Sequence, residues 1–149
     1  MIIVKEALAI HAKGIVEFQI AMALETENLH LDKKLVKKGV KAVFGDVARG
    51  KYFVALDDDK LIASLMITYE WSDWRNGNVY WIQSVFVLPE YRGKGVFKQM
   101  YLHIKDSVKN TPGLSGIRLY VDKSNHRAQK VYNKIGMDGS HYQLFEWMK

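Results

Sequence analysis

The segment YRGKGVFKQM, residues 91–100, places two glycines and two cations where an apolar run gives way to a helical pattern. The preceding run, VYWIQSVFV, is rich in β-branched and aromatic residues and predicts a buried central strand. The first N–H groups of a helix have no intrahelical partner, and the helix dipole adds positive potential there. Glycines allow phosphate oxygens to approach the backbone closely, and Arg92 and Lys94 add charge. The segment therefore predicts a phosphate cradle.

Two nucleotide-binding motifs are excluded by spacing. A P-loop needs Gly-Lys followed by Ser or Thr, but Gly95 follows Gly93-Lys94. A dinucleotide fingerprint counted from Gly93 needs a glycine at position 98, where Lys98 stands. The cradle must belong to another class of ligand.

The rest of the chain predicts a mixed α/β fold. Hydrophobic periodicity and turn signals give the order β-α-α-β-β-β-α-β-α-β, a mixed sheet covered by helices. Asn76-Gly77 predicts a tight hairpin turn, and Asn125 and Gly136 predict the N-cap and the stop of the last helix. The predicted helices are 11–25, 31–46, one from Lys94 to about NTPG, and 125–136; the strands include MIIVKEA, a pair within 50–71, IRLYV at 117–121 and HYQLFEWMK at 141–149.

Composition limits the function further. A chain of 149 residues with 48% hydrophobic and 26% charged residues predicts one globular domain, residues 1–149. It has no cysteine, no apparent signal peptide and no apolar stretch long enough for a bilayer, which favours a cytoplasmic protein without a membrane partner. His103 and His126 have no spacing typical of a metal site, so no metal is expected.

The net charge of +6 attracts anionic partners in general. Many lysines, however, fall on one face of the predicted second helix, opposite an apolar stripe of Leu31, Leu35, Val36, Val40, Val43 and Phe44. A solvated helix face explains Lys33, Lys34, Lys37, Lys38 and Lys41 better than nucleic-acid binding does. No nucleic acid is expected as a partner.

Two motifs together resemble the GCN5-related N-acetyltransferase (GNAT) family. VFVLPEYRGKG contains Arg92-x-x-Gly95-x-Phe97, which is similar to the family's acetyl-CoA motif Arg/Gln-x-x-Gly-x-Gly/Ala, and NHRAQKVYNKIGM matches its second motif. Chain length and element order agree from end to end. The resemblance implies a GNAT fold with six to seven strands and about four helices, acetyl-CoA as cofactor, and N-acetyltransferase activity.

Phe97 departs from the family pattern, which has a small residue there. Helical spacing places Phe97 on the stripe of Met100, Tyr101, Ile104 and Val108, so its ring is expected to point to the core. A side chain at this position leaves the backbone N–H in place, so phosphate can still bind, although the seating of the pyrophosphate differs.

The resemblance also implies which residues hold the cofactor. The pantetheine arm is expected to lie against strand 79–87 like an added strand, bonded to the backbone of Phe86 and Val87, with Ser84 as the place for a β-bulge. Asn125 is either a cofactor-orienting residue or an N-cap only. The cofactor-binding residues expected are Ser84, Val85, Phe86, Val87, Arg92, Gly93, Lys94, Gly95, Val96, Phe97, Asn125, Ala128 and Tyr132.

Tyr132 matches the family's general acid. A phenol with a reference pKa of about 10 is protonated at neutral pH and can donate to a thiolate whose thiol has a pKa of about 8.5. The stripe Ala128, Val131, Tyr132 and Ile135 has helical spacing, so a core position is the alternative. Its place in the second motif favours the catalytic role.

The acceptor side is less defined by the sequence. Glu70, at a strand end, is either the general base or a solvated charge. Trp71 and Trp74 either wall an amine pocket through cation–π contacts or pack across a hairpin. Further candidates for the substrate site are Glu25, Asp73 and Gln83.

Four functions follow from these residues. The leading one is acetyl-CoA-dependent N-acetylation of a primary amine in a small molecule, a polyamine or amino compound, by direct attack in a ternary complex. Acetylation of a protein or peptide and a CoA-binding sensor domain without turnover are the alternatives, and nucleic-acid binding rests on net charge alone. The identity of the amine is open, and so is a homodimer.

Overall fold

The computed structural model describes all residues from 1 to 149 and divides them into two compact units. The first unit is Met1–Arg118 and the second is Leu119–Lys149. The elements of the first are β1 (Ile2–Glu6), α1 (Ala12–Glu27), α2 (Lys33–Gly45), β2 (Lys51–Asp57), β3 (Lys60–Ser72), β4 (Gly77–Val87), α3 (Val96–Asn110) and β5 (Leu114–Arg118); the second contains α4 (His126–Lys134). None of the helices combines the length and the apolar character needed to span a lipid bilayer.

The first unit is built on a five-stranded mixed sheet in the order β1-β2-β3-β4-β5. The first three pairings are antiparallel, and β4 and β5 are parallel. A parallel pair needs a crossover connection, which α3 supplies. The sheet confirms the predicted mixed α/β class, but it has five strands and not six to seven.

Two of the predicted strands differ from the structure: one is displaced along the sequence, and the other does not form. The strand expected at 117–121 runs instead from Leu114 to Arg118, because Gly113, with φ +83°, ends the preceding turn and Leu114 pairs with Asn78. The strand expected at 141–149 does not form, and all of its side chains are exposed. Its apolar pattern suits a strand, but a strand also needs a hydrogen-bonded neighbour, which this segment lacks.

The two faces of the sheet are covered by different helices. Tyr52 and Val54 of β2 belong to a core cluster with Ile15 and Val16 of α1 and Val40 of α2. Side chains alternate along a strand, so Phe53 points to the other face, where its ring lies 5.7 Å from that of His103 in α3. The sheet therefore separates an α1/α2 face from an α3 face.

The helices follow their predicted periodicity with two exceptions. The five lysines of α2 are all exposed, as the solvated-face interpretation requires. Leu35 was assigned to the apolar stripe but is 68% exposed. In α3 the buried positions are Val96, Met100, Tyr101 and Ile104, whereas Phe97 is only half-buried. Helical spacing places Val96 and Phe97 on the same face, but only Val96 is buried with Met100, Tyr101 and Ile104, and Phe97 lies at the margin of that face.

The second unit confirms the predicted helix signals. The side chain of Asn125 accepts a hydrogen bond of 3.1 Å from the N–H of Ala128 and so caps α4. Gly136, with φ +88°, follows the helix and suits its left-handed exit. Ala128, Val131, Tyr132 and Ile135 are half-buried, whereas residues 125–127 are exposed. The predicted stripe is therefore the less exposed face of α4.

The β3–β4 hairpin is closed by a constraint at Gly77. Asn76 has φ +48°, and Ser72 pairs with Gly77 across the turn. A Cβ on Gly77 would lie 2.8 Å from the carbonyl oxygen of Gly113, where the start of β5 meets β4. Only a glycine fits between these two backbones.

We expect Gly77→Ala to destabilise the protein by about 1–3 kcal/mol, because the added methyl group must displace backbone and not a flexible side chain. Gly39→Ala is the matched control. An added Cβ at Gly39 in α2 meets no atom within 4 Å, so helix propensity should stabilise this variant by about 0.5–1 kcal/mol. Urea unfolding followed by circular dichroism measures both. Equal effects of the two substitutions would contradict the close approach at Gly77.

Candidate active site

The phosphate cradle forms where β4 passes through a short turn into α3. Gly93 and Gly95 both have positive φ, +75° and +77°, and Gly95 is the N-cap of α3 without a side-chain cap. The first helical bond runs from the N–H of Gln99 to the oxygen of Gly95, at 3.0 Å. The N–H groups of Val96 and Lys98, in the first turn, therefore have no intrahelical partner. A Cβ on Gly95 would meet no atom within 4 Å, so the space over the turn is open to an anion.

The two cations of the cradle have different surroundings. The Nε of Arg92 donates to the carbonyl of Val87 at 2.8 Å, and its Nη2 donates to Glu25 at 2.8 Å. Its guanidinium carbon also lies 5.4 Å from the centre of the Phe86 ring. Arg92 is thus held against β4 and the end of α1. Lys94 has its Nζ 5.5 Å from the ring of Tyr91 and forms no salt bridge, so it is the cation available to a phosphate.

The strand before the cradle extends past the end of its parallel neighbour. The pairing of β4 with β5 ends at Trp81 and Arg118. Beyond this pair, residues 82–87 of β4 are paired only with β3 within the first unit. Six residues of strand leave about 20 Å of backbone edge without a partner strand on that side.

A β-bulge lies in this part of β4, which is paired only with β3. Ser84 and Val85 together oppose one residue of β3, since Met66 pairs with Gln83 and Ser64 with Phe86. Ser84 has φ +54°, which is uncommon for a residue with a side chain. The bulge is therefore at the residue that the sequence analysis named. Bulges bend a strand and often occur next to active sites.

The backbone of Val87 faces the unpaired edge. Leu88 donates its N–H to Ile62, and antiparallel ladders alternate between bonded and non-bonded pairs. The N–H and C=O of Val87 consequently point away from β3, as its carbonyl bond to Arg92 demonstrates. The N–H remains directed to the side where an added strand would bind.

A polar strip lies on the α1/α2 face of the sheet beside this edge. The strand register places Thr68 and Glu70 of β3, Trp81 and Gln83 of β4, and Arg118 of β5 on one face. All of these side chains are half-buried. Gln83 donates to the hydroxyl of Thr68 at 2.6 Å, and Arg118 donates to the carboxylate of Glu70. We call these five residues the acceptor strip.

The acceptor strip includes two predicted site residues and excludes others. Glu70 and Gln83 belong to it. Trp71 follows Glu70 in the strand and so points to the other face, where it is 62% exposed. Asp73 and Trp74 lie in the hairpin loop, with Trp74 89% exposed, and Glu25 pairs with Arg92 at the cradle. The structure does not bring these four side chains to the strip.

Sequence reasoning missed Thr68, Trp81 and Arg118 as candidate site residues. Thr68 is two residues from Glu70, and Trp81 is two residues from Gln83, so each lies on the same strand face as a predicted site residue. This spacing was the available signal for both. For Arg118 no local signal existed. Its contact with Glu70 depends on the parallel register of β4 and β5, which the sequence does not define.

Tyr132 and the other residues of the second motif lie in the second unit. Burial raises the pKa of the Tyr132 phenol above its ordinary value of 10.0. The phenol is therefore protonated over the whole neutral range and can act only as a proton donor there. Asn125 serves as the N-cap of α4, with its side-chain oxygen occupied by the N–H of Ala128.

A glycine cradle beside an unpaired strand edge suits a class of protein that binds an extended ligand carrying a phosphate group. Comparison with known proteins narrows this class. The sequence profile described as "Acetyltransferase (GNAT) family" matches residues 20–137. The chain belongs to this family. The membership confirms the family that the two sequence motifs predict.

Three known proteins illustrate the similarity. A solved structure described as a possible acetyltransferase from Clostridium difficile 630 is 42% identical, with a TM-score of 0.92 over 100% of this chain and 98% of that one. The thialysine N-ε-acetyltransferase of Bos taurus is 32% identical over 68 residues, which span 46% of this chain and 39% of the bovine protein. The AAC(6')-Iy structure in complex with the bisubstrate analog CoA-S-monomethyl-acetylneamine is 17% identical, has a TM-score of 0.77 and covers 100% and 99% of the two chains, which shows a shared fold.

We expect Lys94→Gln to weaken CoA binding by about fivefold, the upper range for an exposed ion pair, and to reduce the salt dependence of binding. Lys109→Gln is the control, because Lys109 lies in the last turn of α3, at the end away from the cradle. Isothermal titration with CoA at two salt concentrations measures both variants. An equal loss in the two would mean that net charge, and not the cradle, attracts the cofactor.

Proposed function

We propose that this chain transfers the acetyl group of acetyl-CoA to a primary amine of a small molecule by direct attack in a ternary complex. The observation that carries the proposal is the position of the unpaired edge of β4, with the glycine cradle at its end and the acceptor strip on the adjoining face. A donor along this edge and an amine on the strip would meet at β4. The bovine relative and AAC(6')-Iy, whose names refer to thialysine and to an acetylneamine analog, support a small amine.

Different residues of the first unit would bind different parts of acetyl-CoA. The N–H groups of the first turn of α3 and Lys94 would hold the pyrophosphate, with Gly93 and Gly95 allowing its close approach. The backbone of residues 84–87 would hydrogen-bond the pantetheine arm, with Val87 as the N–H donor. In the second motif, Asn125 and Ala128 would contact the same arm, as the family pattern implies.

The transfer itself needs two proton movements. The donor supplies a thioester carbonyl that an amine can attack. The amine nitrogen forms the new C–N bond, the C–S bond breaks, and one proton leaves nitrogen while one reaches sulfur. We assign the second proton to the Tyr132 phenol, since burial raises the pKa of this group and keeps it protonated. Glu70 is the proposed acceptor of the amine proton, directly or through water.

One observation favours a second candidate function. The carboxylate of Glu70 is engaged by Arg118, so the base is not freely available before an acceptor binds. A CoA-binding sensor domain without turnover would have this property too. Release of free CoA from acetyl-CoA, which only a transferase produces, distinguishes the two functions.

Three parts of the proposal rest on the sequence alone. Residues 1–149 act as one domain, the reaction takes place in the cytoplasm, and neither a nucleic acid nor a membrane takes part. The sequence leaves a homodimer open, and light scattering on the purified protein determines the number of chains.

The test of the function is release of free CoA from acetyl-CoA in the presence of panels of small amines, amino compounds and peptides. A thiol reagent detects the product without background, because the chain has no cysteine. We expect release with small primary amines and not with peptides. Tight CoA binding without release for any acceptor would support the sensor instead.

We expect Tyr132→Phe to keep its affinity for CoA and to lose about 10²-fold or more of kcat, because only the proton donor is removed. Tyr120→Phe, a phenol of the same unit outside both motifs, is the comparison variant. Steady-state kinetics and titration with CoA measure the two effects. An unchanged kcat in Tyr132→Phe would remove this residue from the acid role.

The pH profile provides a separate check. A phenol donates only while protonated, and burial shifts the pKa of Tyr132 upward, so kcat should fall only above about pH 10. The residual activity of Tyr132→Phe should lack this alkaline decline. Rates corrected for spontaneous thioester hydrolysis, with circular dichroism to confirm folding at each pH, give the profile. If the alkaline decline of kcat persists in Tyr132→Phe, a group other than Tyr132 causes it.

A further inference from the structure

The ion pair of the acceptor strip crosses over a strand. Glu70 lies on β3 and Arg118 on β5, with Val79 and Trp81 of β4 between them in the register. Arg118 donates its Nη1 to the carboxylate of Glu70 above β4. The side chains are 40% and 30% exposed, so both charges can be reached from solvent. An exposed pair of this kind contributes little to stability.

Space for a ligand lies next to this pair. Gly116 pairs with Val79 on the same face, two residues before Arg118. A Cβ on Gly116 would meet no atom within 4 Å. The strip therefore has an empty space beside Glu70 and Arg118, which a side chain at position 116 would occupy.

The charges of the strip suit one kind of amine better than another. A diamine brings two positive charges, and only Glu70 among the five strip residues can balance them, while Arg118 repels them. An amino carboxylate brings one charge of each sign. Its ammonium group complements Glu70, and its carboxylate matches the planar fork of an arginine, which binds carboxylates through two parallel hydrogen bonds.

We propose that the acceptor is an α-amino carboxylate, whose amine is received by Glu70 and whose carboxylate is received by Arg118. This inference rests on the proposed function and names its substrate class. The ligand replaces the direct contact of the two side chains by an array of four alternating charges. Because α-amino and carboxylate groups are attached to the same carbon, both reach an ion pair whose members lie side by side.

The same exchange of partners prepares the base. Once Arg118 binds the substrate's carboxylate, Glu70 turns from the guanidinium to the ammonium group. One proton of the ammonium group then passes through Glu70 to solvent. The neutral amine forms the amide bond as described above, and the ionised Glu70 accepts the second proton that leaves nitrogen. An amine without a carboxylate leaves Arg118 on Glu70, so it should react slowly even at saturation.

The test compares amino acids with the amines that lack the carboxylate: alanine with ethylamine, methionine with 3-(methylthio)propylamine, and lysine with cadaverine and lysinamide. We expect the amino acid to exceed its partner at least about tenfold in kcat/KM, the usual effect of one charged hydrogen bond. Product identification by mass spectrometry should show acetylation at the α-amine.

Three variants identify the residues responsible. Arg118→Gln should bring each ratio near unity, and Arg118→Lys should restore part of it, because the positive charge is kept. Gly116→Val should raise KM for every acceptor by filling the gap and leave the affinity for CoA unchanged. If Arg118 only holds β3 and β5 together, its substitution should lower the rates with amino acids and amines equally.

The outcomes separate the inference from the function on which it rests. Ratios near unity in the wild-type protein, with clear turnover of the amines, would overturn the amino carboxylate and retain the acetyltransferase. Retention of the wild-type ratios in Arg118→Gln would overturn the role of this residue. No turnover of any acceptor, with intact CoA binding, would overturn both.

Discussion

The extension of β4 past the end of β5 is the constraint on which the rest of the site depends. Pairing ends at Trp81 and Arg118, and the bulge at Ser84 lies three residues further along β4. The extra residue in the bulge places Gln83 and Phe86 on the same face, although strict alternation would put them on opposite ones. Phe86 can therefore pack 4.8 Å from Phe18 of α1 while the strand edge beyond Trp81 stays open.

Arg92 connects this open edge to helix α1. Its guanidinium reaches β4 through the carbonyl of Val87 and α1 through Glu25. A cation of the motif is thereby used to hold the cradle in place, and its charge is balanced before any phosphate arrives. A phosphate would then bind to backbone N–H groups and to Lys94. Phe97 is compatible with such binding, because it changes a side chain and no N–H.

The features predictable from the sequence are those encoded within a few neighbouring residues. The glycine cradle, the Asn125 cap and the hairpin before Gly77 each depend on local turn chemistry, and the structure has all three. The acceptor strip depends on which residues of three strands lie side by side. Sequence proximity grouped Trp71 with Glu70, although successive strand residues point to opposite faces, and it gave no indication of Arg118. The pattern of residues 141–149 suited a strand but did not specify a partner.

In the proposed reaction, the donor and the acceptor thus bind to different parts of the chain. Backbone groups at the cradle and along β4 need only the correct turn and the bulge, so many side chains are compatible with them. The acceptor strip consists of side chains whose positions are set by register, so single substitutions on one sheet face can change the acceptor without disturbing the donor. This division explains why the local motifs identify the family and its cofactor, whereas the acceptor has to be inferred from the charges that the strand register brings together at Glu70 and Arg118.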